Sequence, residues 1–237
     1  MDVVYFHPRR LGPEAVIENA LANRVSDLFT SKNGLLWMAG SLQVGAGMPD
    51  LIVALCEPQV SVLCQVDMPT AGILAYLRAV GCARPDTISR RMRLPREIII
   101  RCLNDLAEIE VVSRKANTFS LSPIWREILP EVVAIEAKVK NWKSAVQQAA
   151  RNHIFAHRSF VALPDQVAQR VRLEPILGQL GIGLLSVGDY NTVSVLRRSR
   201  RRQPRVWTYY YQIASLAARH FEDTNNALQH TTPTGSK

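Results

Sequence analysis

The sequence has only four cysteines, Cys56, Cys64, Cys82 and Cys102, and no two of them form a CxxC pair. A zinc site needs ligands paired at short spacing, so the common zinc modules are excluded. Buried, reduced thiols are the expectation instead. No run approaches the roughly 18 to 20 uncharged apolar residues of a membrane-spanning helix. The best candidate, Leu51 to Cys56, has only the length of a strand. The basic N-terminal residues are not followed by an apolar signal-peptide stretch. A cytoplasmic protein with no membrane partner is therefore expected. Gly45-Ala46-Gly47 lacks the Lys-Ser/Thr that completes a phosphate-binding loop, so ATP use is not indicated. Acidic residues are also scarce. Twenty Asp and Glu stand against 29 Lys and Arg, a net charge of +9. Such an excess points to a polyanionic partner, nucleic acid first, without distinguishing binding from cutting.

What is present is enough for a core: 47% of the 237 residues are hydrophobic and 21% charged. At roughly 150 residues per domain, the length corresponds to about one and a half domains. Residues 13 to 30 read as a helix, with Val16, Ile17, Ala20, Leu21, Val25, Leu28 and Phe29 at helical spacing. Pro13 suits its first position, and Asn33-Gly34 closes it. Leu35 to Val44 reads as a strand. Asp50 to Cys56 is a nearly continuous apolar run, as in a strand covered on both faces.

The pattern changes after Asp67. Helical periodicities at 70 to 80, Pro85 to Met92 and Pro95 to Ala107 precede a hairpin, Val111-Val112 and Thr118 to Leu121 around a polar turn. Three helices and a hairpin form a winged helix-turn-helix pattern over residues 68 to 128. Alternation of strands and helices resumes with a strand at Val132 to Val139, a helix at Ser144 to His157 and a strand at Phe160 to Leu163. A helix at Gln166 to Leu180 and a strand at Gly183 to Val187 follow, and Val193 to Leu196 is a candidate partner for that strand. The expected fold is one α/β domain, 1–67 with 129–222, interrupted by an inserted module. A polar tail from 223 to 237 carries no core pattern and is expected to be disordered.

Two short segments carry candidate chemistry. Gly47-Met48-Pro49-Asp50 opens one apolar strand, and Ile135-Glu136-Ala137-Lys138 lies in another. Residues i and i+2 of a strand share a face, so Glu136 and Lys138 point the same way. An acid and an amine on a buried strand are costly unless they pair or serve chemistry. If the strands are neighbours, Asp50 meets Glu136, and two carboxylates can hold Mg²⁺ or Mn²⁺. Lys138 would then orient or activate a water and offset phosphate charge. The first helix adds Glu14 and, nearer the edge of its apolar face, Glu18, either of which can supply a further acid.

An acidic helix, Pro-Asp before a strand, then Glu-x-Lys in a strand resembles the PD-(D/E)XK restriction-endonuclease-like nucleases. Asn141-Trp142 and then Ala145-Val146-Gln147-Gln148-Ala149 resemble the Gln-containing helix that follows in many members. The resemblance covers residues 13 to 67 and 131 to 196. It implies a mixed sheet flanked by helices and Mg²⁺-dependent hydrolysis of phosphodiesters. Asp50 and Glu136 would be metal ligands, Lys138 the catalytic lysine, Glu18 an accessory acid and Gln148 a helper; Glu14 stays open beside Glu18. The chain departs from the family in one respect: Asp50 and Glu136 are 86 positions apart, where some 10 to 30 are common.

Basic residues supply the expected DNA contacts. In the insert these are Arg84, Arg90, Arg91, Arg93, Arg96 and Arg101, with Arg114 and Lys115 in the wing. Near the C-terminus, Arg197, Arg198, Arg200, Arg201, Arg202 and Arg205 put six arginines in nine residues. Charges this dense repel unless an anion screens them, so this run is expected to clamp DNA around the acidic centre. The aromatics Trp207, Tyr209, Tyr210 and Tyr211 read as a helix packed on the α/β domain. His153 and His157 share helical spacing, but nothing nearby completes a metal site. The expected activity is that of a DNA endonuclease, as a homodimer if both strands are cut, in phage defence or a mobile element. The alternatives are a non-catalytic DNA-binding regulator or assembly subunit on a nuclease-like scaffold, and a protein-interaction subunit.

Overall fold

The computed structural model describes residues 3–8, 12–29, 34–45 and 47–230. In chain order, strand β1 (Val4–Tyr5) precedes helix α1 (Pro13–Leu28) and strands β2 (Leu35–Gly40) and β3 (Leu51–Cys56). A 3-10 turn, Pro58–Leu63, leads to α2 (Met68–Val80), β4 (Cys82–Ala83), α3 (Pro85–Met92), α4 (Arg96–Glu108), β5 (Val112–Lys115) and β6 (Thr118–Leu121). Then come β7 (Glu131–Ala137), α5 (Trp142–Asn152), β8 (Arg158–Pro164), α6 (Asp165–Val171), α7 (Pro175–Leu180), β9 (Gly183–Val187), β10 (Val193–Arg197) and α8 (Trp207–His230). Among the described residues no helix is long and apolar enough to cross a membrane.

The chain divides into two compact units, Met1–Cys56 with Pro130–Arg205, and Glu57–Leu129 with Val206–Lys237. The first is a seven-stranded mixed sheet, ordered β1-β2-β3-β7-β8-β9-β10, flanked by helices. Strands β7, β8 and β9 run parallel, while β3 runs antiparallel to β7. The start of β3 and the ends of β7, β8 and β9 therefore share one edge. Helix α1 buries Ile17, Ala20, Leu21 and Val25 against Val133, Ile135, Ala137 and Phe160 on one face. Helices α5, α6 and α7 bury Val146, Val171 and Leu177 against Val161, Leu163 and Leu184 on the other. Both faces of β7 are covered, which explains its unbroken apolar run. The expected helix from 166 to 180 is split in two, because Pro175 starts a new helix and holds Glu174 in extended backbone. Strand β10 pairs with β9 in antiparallel fashion. Strand β1, paired with β2, has no counterpart among the expected elements. The closing turn read at Asn33-Gly34 lies partly outside the described residues.

The second unit joins α2, α3, α4 and a small sheet, β4-β6-β5, to α8. Asp67 caps α2, its carboxylate accepting from the Thr70 amide at 2.9 Å. Ile73, Leu74, Leu77, Ile88, Ile99, Leu103 and Phe119 are buried. The expected domain boundaries need correction here. The final aromatic helix belongs with the inserted segment, not with the α/β sheet, and it extends to His230 through most of the expected tail. Hydrogen bonds explain why. The Tyr210 hydroxyl accepts from the Leu129 amide at 2.7 Å and donates to the Leu129 carbonyl at 3.2 Å. Tyr211 donates to the Trp125 carbonyl at 3.0 Å, and the Arg78 guanidinium stacks 3.6 Å from the Trp207 ring centre. The unit also starts at Glu57 rather than 68, because the 3-10 turn packs on α8. Tyr210→Phe leaves a buried backbone pair without its partner. A loss of about 1–3 kcal/mol is expected, seen as a lower Tm in thermal melts.

All four cysteines are free, but only Cys56 and Cys102 are buried; Cys64 is half-buried and Cys82 exposed. The expectation of uniformly buried thiols fails because Cys82 lies on a two-residue strand, β4, with the neighbouring Ala83 turned inward instead.

Candidate active site

The register of β3 and β7 decides the centre. Leu51 pairs with Ile135, so Asp50, one step earlier, stands level with Glu136, one step later. The 86-residue separation along the chain thus closes to adjacent strands. Asp50 lies at the mouth of β3, and one carboxylate oxygen accepts from the Ala137 amide at 2.7 Å. Lys138 lies one residue beyond the end of β7, not within it, although its amide still bonds the Ala162 carbonyl at 3.0 Å. Its ammonium donates to Glu14 Oε2 at 3.0 Å and lies 3.9 Å from Asp50 Oδ2.

These groups line one cavity of about 500 Å³ with Glu18, Gln148, His7, Pro8, Ser41, Gln43 and Met48. Every residue assigned a catalytic role from the sequence faces it: Asp50, Glu136, Lys138, Glu18 and Gln148. The open choice between Glu14 and Glu18 resolves into two positions. Glu14, on the first turn of α1, holds Lys138, while Glu18, one turn further, is buried in the cavity wall.

Electrostatics set the protonation states. Burial pushes the Glu136 carboxyl up to about 7; a hydrogen bond from Asn152 opposes this and the charge of Asp50 adds to it. Burial also raises Asp50, against the pull of Lys138. Burial draws the Lys138 ammonium down, but Asp50 and Glu14 outweigh it, so its net shift is upward and it stays charged. Two neighbouring carboxyls short of neutralising charge, both above their ordinary range, are what a cation would relieve. The buried Gln148 Oε1 has no hydrogen-bond partner among the described residues. The donor set is all oxygen, which suits a hard divalent ion. Among the described residues, however, no three His, Cys, Asp or Glu side chains form a metal-holding group.

Asn152 is the residue that sequence reasoning missed. It is 2% exposed and donates to Glu136 Oε1 at 2.7 Å. The signal was present, since Asn152 follows Gln148 by four on α5 and so shares its face. Asn152→Ala should move the Glu136 carboxyl further up, read by carboxyl-carbon NMR titration of the metal-free protein.

The histidine pair does not share a helix. Helix α5 ends at Asn152, and His157 Nδ1 accepts from the Val132 amide at 3.0 Å.

The arginine run is the main correction. It does not surround the acidic centre. Beyond Arg197 the chain crosses the opposite edge of the sheet, where β9, β8 and β7 begin. The Arg200 amide bonds the Gly181 carbonyl, Arg202 the His157 carbonyl and Arg205 the Ile154 carbonyl, at 3.0, 2.8 and 2.9 Å. Six residue steps along β7 separate Pro130, whose carbonyl Arg201 bonds, from Glu136, about 20 Å at ~3.3 Å per residue, whereas Arg197 is in register, through Leu184 and Val161, with Glu136 three strands away. Arg200 to Arg205 therefore lie at the strand ends opposite Asp50 and Glu136. The physical reason is β10, whose antiparallel pairing with β9 carries the chain away from the edge that holds Asp50 and Glu136.

In the second unit, Arg84, Arg90, Arg91, Arg93, Arg96, Arg101, Arg114 and Lys115 are all exposed. Arg96 forms an ion pair with Asp86 that ties α4 to α3.

Compared with protein-family models, with curated proteins and with solved structures, the chain matches none.

Proposed function

We propose that the protein is a metal-dependent endonuclease that hydrolyses phosphodiester bonds in DNA, built on a restriction-endonuclease-like sheet. The observation that carries this reading is the convergence of Asp50, Glu136 and Lys138 on one cavity. Asp50 and Glu136 would hold Mg²⁺ or Mn²⁺. Such an ion, if bound, would supply Lewis-acid chemistry, activating water and offsetting charge on the scissile phosphate. Lys138, kept charged and oriented by Glu14, would position the attacking water and stabilise the phosphorane-like charge. Asn152 keeps Glu136 turned into the cavity, and Gln148 offers an oxygen to water or substrate.

The inserted unit has the order helix, strand, helix, helix, strand, strand, in keeping with a winged helix-turn-helix. Its exposed Arg90, Arg91 and Arg93, at the α3–α4 turn, and Arg101 on α4 would contact DNA, with Arg114 and Lys115 on the wing. Cutting both strands of a duplex would need two copies, and a defence system or mobile element is the setting that fits such an enzyme.

The test is cleavage of plasmid and oligonucleotide DNA with Mg²⁺ or Mn²⁺, comparing wild type with Asp50→Ala and Lys138→Ala. Cleavage by wild type alone supports the reading. Equal cleavage by all three means a contaminant. No cleavage by wild type, with binding that falls steeply with salt, replaces the enzyme with a non-catalytic DNA-binding protein.

A further inference from the structure

The arginine segment from 197 to 205 is not a solvated linker. Its backbone is pinned at Arg200, Arg202 and Arg205 to the strand-end loops. Ser199 is 3% exposed; its hydroxyl accepts from the Ser159 amide at 3.1 Å and donates to the Gly181 carbonyl at 3.0 Å. Arg158 donates to the Ser199 carbonyl at 2.5 Å and to Glu131 at 2.6 Å, so the strap is clamped from both sides. Arg201 donates to the Pro130 carbonyl at 2.9 Å. Such a strap holds like charges side by side with no acid of its own; Glu131, already bonded by Arg158, lies 3.9 Å from Arg201 and offsets one of its six arginines. Self-repulsion of this kind is relieved when an anion binds. Because the backbone is already ordered, less entropy is lost when it does.

Two hollows flank Arg198. One, of about 330 Å³, is lined by Arg197, Arg198, Arg200 and Gly178. The other, of about 450 Å³, is lined by Arg198, Arg158, Glu131 and Phe160. Guanidinium groups fork onto phosphate oxygens in two-bond pairs, and arginine rather than lysine throughout the segment fits that chemistry.

We infer that this strap is a second phosphodiester-binding surface, occupied by a nucleic-acid segment other than the one presented to Asp50 and Glu136. It rests on the reading of the chain as a DNA-binding protein and not on catalysis. The two edges lie about 20 Å apart across the sheet. Because the cavity and the strap lie at opposite ends of the strands, a short, stiff duplex seated at one would have to turn back on itself to reach the other. Two segments held on opposite edges make the protein a bridge between DNA sites.

The experiment uses the full chain in EDTA, so that no cleavage intervenes. One duplex carries biotin and a second, of different sequence, a fluorophore; co-capture on streptavidin reports bridging. The comparison is with Arg198→Gln/Arg200→Gln/Arg205→Gln, none of which touches the acidic cavity. Wild type should co-capture the second duplex. The variant should lose at least tenfold of that capture, and the salt dependence of binding should flatten by up to about one log unit per arginine. Its thermal melt, and in Mg²⁺ its cutting of a short duplex, should match wild type. Unchanged bridging overturns the inference. So does a parallel fall in single-duplex binding and cutting, which would put the strap on the scissile segment. Displacement of the second duplex by polyglutamate at lower charge concentration than by competitor DNA assigns the strap to an acidic protein, and overturns it too. Strap-dependent bridging without any cleavage in Mg²⁺ would uphold the inference while removing the nuclease reading.

Discussion

Glu136→Gln should abolish metal-dependent cleavage and, in the same protein without metal, raise the melting temperature at pH 8. Both effects come from one buried carboxyl. Its pKa stands at about 7 against an ordinary 4.5. Between those values the folded protein binds a proton that the unfolded chain has lost. The contribution of Glu136 to stability is therefore highest below about 4.5, falls as the pH rises through 7, and then levels off. The difference corresponds to a penalty on the order of 3 kcal/mol for the charged, metal-free state. Glutamine removes that charge and can still accept from Asn152, so the penalty at pH 8 should largely disappear. At roughly 2–4 °C per kcal/mol for a chain of this size, the change is well within reach of calorimetry. In wild type, millimolar Mg²⁺ should restore stability at pH 8 and have less effect at pH 5, where a proton occupies Glu136. A flat pH profile for wild type, or a destabilised Glu136→Gln, would mean that Glu136 is satisfied within the fold and is not held for a cation.

Lys138→Ala should lower kcat by about 10² to 10⁴ and leave the affinity for uncut DNA in EDTA within a few-fold of wild type. In the proposed reaction the ammonium would face the charge that builds on the phosphate, yet it is 22% exposed and partnered by carboxylates, so it should contribute little to gripping DNA before reaction. Lys138→Arg should rescue poorly, because a planar fork cannot reproduce a point charge between Glu14 and Asp50. Glu14→Gln tests the positioning role. The side chain is 44% exposed and its amide can still accept from Lys138. A loss of roughly tenfold or less in kcat, with KM unchanged, is expected. Equal losses for Lys138→Ala and Glu14→Gln would make the ion pair, rather than the lysine, the unit that acts. A fall in DNA affinity matching the fall in kcat would make Lys138 a binding residue.

Much of this site was legible because its signals are local. Strand residues that alternate and helix residues that recur every three or four positions reveal their faces without reference to the rest of the chain. Pro-Asp ahead of Leu51 to Cys56, Glu136 with Lys138, and Gln148 on the next helix could thus be chosen one segment at a time. Asn152 escaped because a single polar side chain on an apolar helical face reads as a capping or solvated group until its partner is known.

The helices and hairpin between residues 68 and 121 were legible for the same reason, but not the helix that joins them in one unit. Trp207, Tyr210 and Tyr211 announce a buried aromatic face, and nothing in their spacing says which core receives it. Only the tertiary structure, through Leu129 and Trp125, assigns that helix to the second unit. The arginine run shows the same limit more sharply. Sequence alone determined its charge and its density. Its position was set by β10, whose antiparallel pairing with β9 sends the chain to the edge opposite Asp50 and Glu136. The sequence determined which side chains are chemically costly to bury or to crowd, because that cost belongs to each residue. Which of them meet was decided by strand order and register, which depend on pairings between segments more than 70 residues apart and leave no mark in either segment by itself.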